Sequence, residues 1–224
     1  KVEALHYLSE NNVNEGLEKI FKLASNKTEN SWIRSKALTA YCKIQNSSTI
    51  PPILTNFSIS KDSKLRAGAA EALSFITGNK SEALSLKLIN DDDETVKFNA
   101  LASYSKIKKE VAWPLVQKMT SSLSQEVMPI ASKALIRVGN NEALKKLQEI
   151  AAAVKNKRAL IDSVRKTKNT NTIPLLLNLL EKTSIDNPNF AYIISALSIH
   201  ENETLAKPLS DMISTGRDLA IFAA

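Results

Sequence analysis

The sequence predicts an all-α protein built from stacked helical hairpins, and three observations carry that prediction. Hydrophobic residues make up 43% of the 224-residue chain and aromatic ones only 5%, so its apolar content is aliphatic. Five glycines and seven prolines leave little material for many tight turns. Above all, one apolar template recurs roughly every thirty residues, the signature of a repeat architecture.

The first helix of each unit carries the template. "KLRAGAAEALSFI" (64–76) aligns with "WIRSKALTAYCKI" (32–44), "TVKFNALASYSKI" (95–107) and "EVMPIASKALIRV" (126–138). Four columns result: Ile33, Leu65, Val96, Val127; then Ala37, Ala69, Ala100, Ala131; then Tyr41, Leu73, Tyr104, Leu135; then Ile44, Ile76, Ile107, Val138. Within a unit these fall at i, i+4, i+8 and i+11, one face of a 3.6-residue helix. Fainter copies place Leu160, Val164 and Thr167 in a fifth unit, Ile193, Leu197 and His200 in a sixth, and Ala4 and Leu8 at the N-terminus. From Tyr41 through Leu73, Tyr104, Leu135 and Val164 to Leu197 the spacings are 32, 31, 31, 29 and 33. Hairpins that each cover the last have a reason to keep such a period.

The second helix of each unit follows a short polar break: "QNSS", "TGNK", "KKE", "GNN", "KNTN" or "HENE". Pro51, Pro52, Pro114, Pro174 and Pro208 stand near the starts of these segments. Proline lacks an N–H and its φ is already helical, so it marks a first turn rather than an interruption. Between units, Ser31, Asp62, Asp93 and Ser124 are placed to cap the next first helix. The whole chain is thus one domain, with approximate units 1–30, 31–61, 62–92, 93–123, 124–155, 156–186 and 187–216 and a partial repeat over 217–224.

The lone cysteine, Cys42, sits among apolar residues in "ALTAYCKI" and reads as a small core hydrophobe that favours a reducing compartment. No run approaches eighteen apolar residues, and "KVEALHYLSE" lacks a signal-peptide core. A start without Met and an end at "RDLAIFAA" suggest a piece of a longer protein. Sequons at Asn26, Asn46 and Asn202 are of the kind an Asn- and Ser-rich chain generates by chance. A net charge of +7 and a pI of about 9.4 suit an acidic partner.

Units such as "DSKLRAGAAEALSFITGNKSEALSLKLIN" resemble HEAT repeats, in particular the short PBS-lyase-type (E–Z) subclass. Asp62, the Leu65–Arg66 pair, Ala69–Ala70, Ala72–Leu73 and Gly78 carry the resemblance, and Ile33–Arg34 and Val96–Lys97 repeat the hydrophobic–basic pair. Val127–Met128 departs from it, and the fifth and sixth units lack it. The resemblance implies a right-handed α-solenoid of about six to seven hairpins, with the second helix of each pair lining a concave face. It does not imply the namesake bilin chemistry.

Two sets of residues stand out as candidate sites. Arg34, Arg66 and Lys97 recur with the repeat, and are read as a structural ladder with Asp62, Asp93 and Glu94. A denser basic stretch includes Lys145, Lys146, Lys155, Lys157, Arg158, Arg165, Lys166 and Lys168 against only Glu149 and Asp162. Lys145, Lys146, Lys155, Arg158, Arg165 and Lys166 are the expected binding patch for an acidic peptide, phosphate or nucleic-acid backbone, weighed against a merely solvated surface.

Catalytic readings find little support. His6 and His200 lack companions at metal spacing, and "DDDE" (91–94) fits a helix start better than a calcium loop. Trp32 and Trp113 fall on core slots, and Asp162 has no aromatic companion, so the arrangement of HEAT-like DNA glycosylases is not visible. The expectation is a cytoplasmic, non-catalytic protein–protein scaffold with no cofactor or metal and no membrane insertion. Nucleic-acid binding, or a role as regulatory module of a larger transporter, signalling protein or enzyme, are the alternatives.

Overall fold

A computed structural model describes residues 1–109, 111–121, 123–200, 205 and 210. Most of the second helix expected over 203–213, with Pro208, and the partial repeat 217–224 lie outside the described residues. Among the described residues there are thirteen α-helices and no strand.

The helices alternate between two layers. The first layer comprises α1 (Val2–Glu10), α3 (Ser31–Gln45), α5 (Ser63–Ala72), α7 (Glu94–Ile107), α9 (Met128–Val138), α11 (Lys157–Thr167) and α13 (Pro188–Ser198). The second comprises α2 (Leu17–Ser25), α4 (Pro52–Ser58), α6 (Asn79–Leu88), α8 (Trp113–Met119), α10 (Asn141–Ala153) and α12 (Ile173–Glu181). Each first-layer helix packs on the next one along the chain, from α1 on α3 through to α11 on α13. Second-layer helices pack mainly on first-layer ones: α2 on α3, α4 on α5, α6 on α7, α8 on α7 and α9, α10 on α9, and α12 on α13. Contacts between consecutive second-layer helices are sparse.

Small residues explain why the first layer is so close-packed. Ala37, Ala69, Ala100 and Ala131 are wholly buried, as are Leu73 and Leu135 one helical stripe on. At Gly68 the approach is extreme: a Cβ there would stand 2.4 Å from Ser35 Cβ, so only glycine lets α5 lie this close to α3. Buried hydroxyls bridge this seam and two others of the first layer. Ser35 Oγ donates to the Lys64 carbonyl at 2.6 Å, Ser103 Oγ to Ala70 at 2.6 Å and Ser163 Oγ to Pro129 at 2.8 Å.

The helix starts follow the expected chemistry in part. Asp62 accepts from Lys64 N–H and Asp93 from Val96 N–H, capping α5 and α7. Pro52, Pro114 and Pro174 sit in the first turns of α4, α8 and α12. The other two expected caps do not cap. Asn30 rather than Ser31 caps α3, and Ser31 instead helps to hold the Asp62 carboxyl below its ordinary pKa across the seam. α9 begins beyond Ser124, whose Oγ donates to Glu94 Oε2 at 3.0 Å, again bridging adjacent units. Gly139 closes α9 in the left-handed region at φ 64°, where a β-carbon is disfavoured. No described helix is long and apolar enough to cross a membrane.

Candidate functional site

Six of the first-layer helices line a common cleft of about 410 Å³. Its walls come from α1, α3, α5 and the 3-10 turn that extends α5, α7, α9 and α11, with no residue from the second layer. Helices α1 and α11 meet on it although four first-layer helices lie between them in the chain, so the layer wraps around the cleft. The resemblance to HEAT repeats implied a concave face lined by second helices; here the enclosed side belongs to the first.

Six cations line the cleft, Lys36, Lys43, Lys106, Lys133, Arg137 and Lys166, against two carboxylates, Glu10 and Glu71, an excess of four positive charges. Four of them follow a repeat column. Lys43, Lys106, Arg137 and Lys166 each stand two residues after Tyr41, Tyr104, Leu135 and Val164, with Phe75 filling the place after Leu73. The periodicity that brings the apolar columns to the seam therefore brings these side chains to the cleft.

The two acids are already engaged. Glu71 Oε2 lies 2.7 Å from Lys36 Nζ and its Oε1 lies 3.6 Å from Lys133 Nζ. Burial opposes its ionisation, but Lys36, Lys133 and Lys166 together outweigh that and hold the carboxyl well below its ordinary 4.5. Attraction to Glu71 correspondingly raises Lys36 despite its burial. Lys133 moves down instead, because burial and repulsion from Lys36, Arg137 and Lys166 exceed what Glu71 returns. Glu10 pairs with Lys43 at 2.8 Å; burial pushes its pKa up, and Lys43, His6 and Lys166 bring it below normal.

Lys106, Arg137 and Lys166 have no carboxylate within 4 Å among the described residues. Lys106 Nζ donates to the Ser74 carbonyl at 2.7 Å and lies 4.8 Å from the Phe75 ring centre. Arg137 Nη1 donates to the Ala102 carbonyl at 2.5 Å. Both bonds reach back to the preceding unit, Lys106 to the 3-10 turn that follows α5 and Arg137 to the interior of α7. Burial pulls Arg137 down to about 10, so it stays charged at neutral pH. Burial, then Arg137 and Lys43, also lower Lys106.

A smaller hollow of about 380 Å³ shares Lys36, Glu71, Asn99 and Lys133 with the cleft and continues it toward Trp32 and Ile130. Trp32 is 49% exposed at its mouth, not in the core as its slot suggested, whereas Trp113 packs against the core. The second layer has a roomier hollow of about 680 Å³ between α10, α11, α12 and α13. One of its two cations, Lys157, is spent on the Ala151 and Ala152 carbonyls of α10.

The basic stretch singled out in the sequence does not converge. Of its six candidates only Lys166 lines the cleft. Lys145 and Lys155 are exposed, and Lys146 pairs locally with Glu149 at 2.9 Å. Arg165 lies 3.6 Å from Asp162, and Arg158 stacks 3.9 Å over the Tyr192 ring. In the expected ladder, Arg34 and Arg66 each donate to a carbonyl at or just past the end of the preceding second-layer helix, while the acids take different parts. Arg66 binds Asp91 through two bonds of 2.7 and 2.9 Å, and also the Ser60 carbonyl, while Asp62 and Asp93 serve as caps. Arg34 donates to the Ala24 carbonyl at 3.0 Å and lies over Phe57, and Lys97 acts on Asp91 only through its charge. No family model matches the chain, and a comparison with curated proteins finds no match.

Proposed function

We propose that this chain is a non-catalytic binding scaffold, a right-handed α-solenoid of HEAT-like hairpins whose enclosed first-helix face receives an acidic segment of a partner protein. The observation that carries the proposal is the cleft: six consecutive first-layer helices direct six cations and two carboxylates into one basin. Low-dielectric walls focus the field of such a basin and raise the local concentration of anions. The HEAT-like reading of the repeats is supported by the alanine columns at the seam, by the caps at Asp62 and Asp93 and by the ion pair of Arg66 with Asp91. A cytoplasmic setting suits the single buried thiol of Cys42.

Fluorescence anisotropy with a glutamate-rich peptide tests the reading. Reversing Lys106, Arg137 and Lys166 to Glu should weaken binding by on the order of a hundred-fold at low salt. Reversing Lys145, Lys146 and Lys155 should leave it nearly unchanged. Equal losses from both triplets would sink the cleft as the site. Nucleic acid is the competing partner, but Phe75 is the sole Phe, Tyr or Trp among the cleft-lining residues, which offers little for base stacking. Tighter binding to generic DNA, with a steep salt slope, would replace the protein partner with a phosphate backbone.

A further inference from the structure

We propose that the cleft cations Lys106, Arg137 and Lys166 together form a phosphoryl-group site, which takes a phosphorylated side chain of the partner segment. This rests on the cleft being the partner site and adds the chemical identity of the group that occupies it. The case begins with a division of labour among the cations. Lys36 and Lys133 share Glu71, and Lys43 has Glu10. The three that remain belong to α7, α9 and α11, one per successive unit, and each stands one residue before the last of its helix.

Charge matching favours phosphate over carboxylate. Three side chains contribute three positive charges that no carboxylate bonds directly, although Glu71 acts at a distance on Arg137, and Lys166 on Glu71 and Glu10. The cleft as a whole keeps an excess of four positive charges, and the roughly −1.5 to −2 of a phosphate monoester at neutral pH offsets more of it than the single charge of Asp or Glu. Donor geometry agrees. After its bond to Ala102, Arg137 retains four N–H groups of its planar fork, and Lys106 retains two after its bond to Ser74. Those donors suit the three terminal oxygens of a phosphoryl group, and guanidinium binds such oxygens in pairs. The repulsion between Lys106 and Arg137, and of Arg137 and Lys166 on neighbouring Lys133, is what a dianion would relieve.

The test uses the intact chain and three synthetic acidic peptides that differ at one place: serine, phosphoserine, or an Asp-Asp pair that matches the phosphoserine charge. Anisotropy titrations should rank phosphoserine above Asp-Asp by about ten-fold, because a phosphoryl group accepts more charge-assisted bonds. Lys166→Gln should erase most of that gain, and Lys166 ties no helices together through a hydrogen bond among the described residues, so this variant should keep the fold. Arg137→Lys should lower the phosphoserine preference while Asp-Asp binding persists. Equal affinity for phosphoserine and Asp-Asp would overturn the phosphoryl assignment and leave the acidic-segment reading standing. No binding of any peptide would remove both. Inorganic phosphate or pyrophosphate competing as tightly as the phosphopeptide would overturn the peptide as the source of the group.

Discussion

Replacing Glu71 with glutamine probes the polar centre of the first layer. The carboxylate bridges Lys36 and Lys133, and the three side chains are 24%, 36% and 22% exposed. Removing its charge strands two cations in a site partly shut off from water. A fully buried pair broken this way loses about 3–5 kcal/mol. The open side of the cleft lets solvent screen Lys36, so a loss of about 2–3 kcal/mol is expected for Glu71→Gln. Urea denaturation should show it as a lowered midpoint, and pairing Glu71→Gln with Lys133→Met should recover about 1–2 kcal/mol through coupling of the contacting groups. Glu18→Gln is the control: its pair with Lys22 is 80% and 74% exposed and should matter by less than about 0.5 kcal/mol. The acid dependence carries a sign. Glu71 titrates at an ordinary 4.5 when unfolded and lower when folded. Its contribution is therefore complete above that value and drains away as pH falls toward the folded pKa. The gap between wild type and variant should be flat above about pH 5 and shrink below about pH 4. A variant as stable as wild type at neutral pH, or a gap unchanged at about pH 3, would refute the reasoning.

Gly68→Ala should destabilise by about 1–3 kcal/mol through overpacking, even though alanine is the better helix former by about 1 kcal/mol. The added methyl would stand 2.4 Å from Ser35 Cβ and 2.8 Å from its Cα, and an unchanged thermal midpoint would contradict that contact. Arg66→Lys should lose about 1–2 kcal/mol, because one ammonium cannot replace the paired bonds to Asp91, and a denaturation curve matching wild type would show the pair to be idle. Cys42 is 2% exposed and burial pushes its thiol up to about 12, so iodoacetamide should label it only on unfolding. Prompt labelling of the native protein would place that part of α3 outside the core.

The apolar columns were legible because burial acts on one residue at a time. Leu73 and Leu135 had to be covered by something, and a period near thirty residues left neighbouring copies as the cover. The cleft was harder to see because its walls come from six helices spread from residue 2 to residue 167, which no local pattern brings together. Even so, a trace existed. Reading the column two residues beyond the large apolar position gives Lys43, Phe75, Lys106, Arg137 and Lys166, a basic series broken at Phe75. Density along the chain drew attention to 145–168 instead, but neighbours in sequence on a helix point to different sides. Arg165 turns to Asp162, whereas Lys166, the very next residue, reaches the cleft. The caps at Asn30 and the bridge from Ser124 to Glu94 were hidden for a related reason, since serine serves a helix start and an inter-unit contact equally well.

Close packing and charge pull in opposite directions in this layer. The seams that bring α3 within a glycine's reach of α5 also draw the cations of successive units toward one another. Tethers to Ser74 and Ala102 hold Lys106 and Arg137 in place, yet a carbonyl carries only a partial charge and cannot cancel a full one. The unliganded fold therefore retains electrostatic repulsion that its own acids do not remove. An anion that enters the cleft relieves it, so binding and stability should rise together, by an amount set through mass action by ligand concentration over Kd. A basic series already neutralised by carboxylates would lack this relief, because an entering anion would find no unbalanced charge to offset.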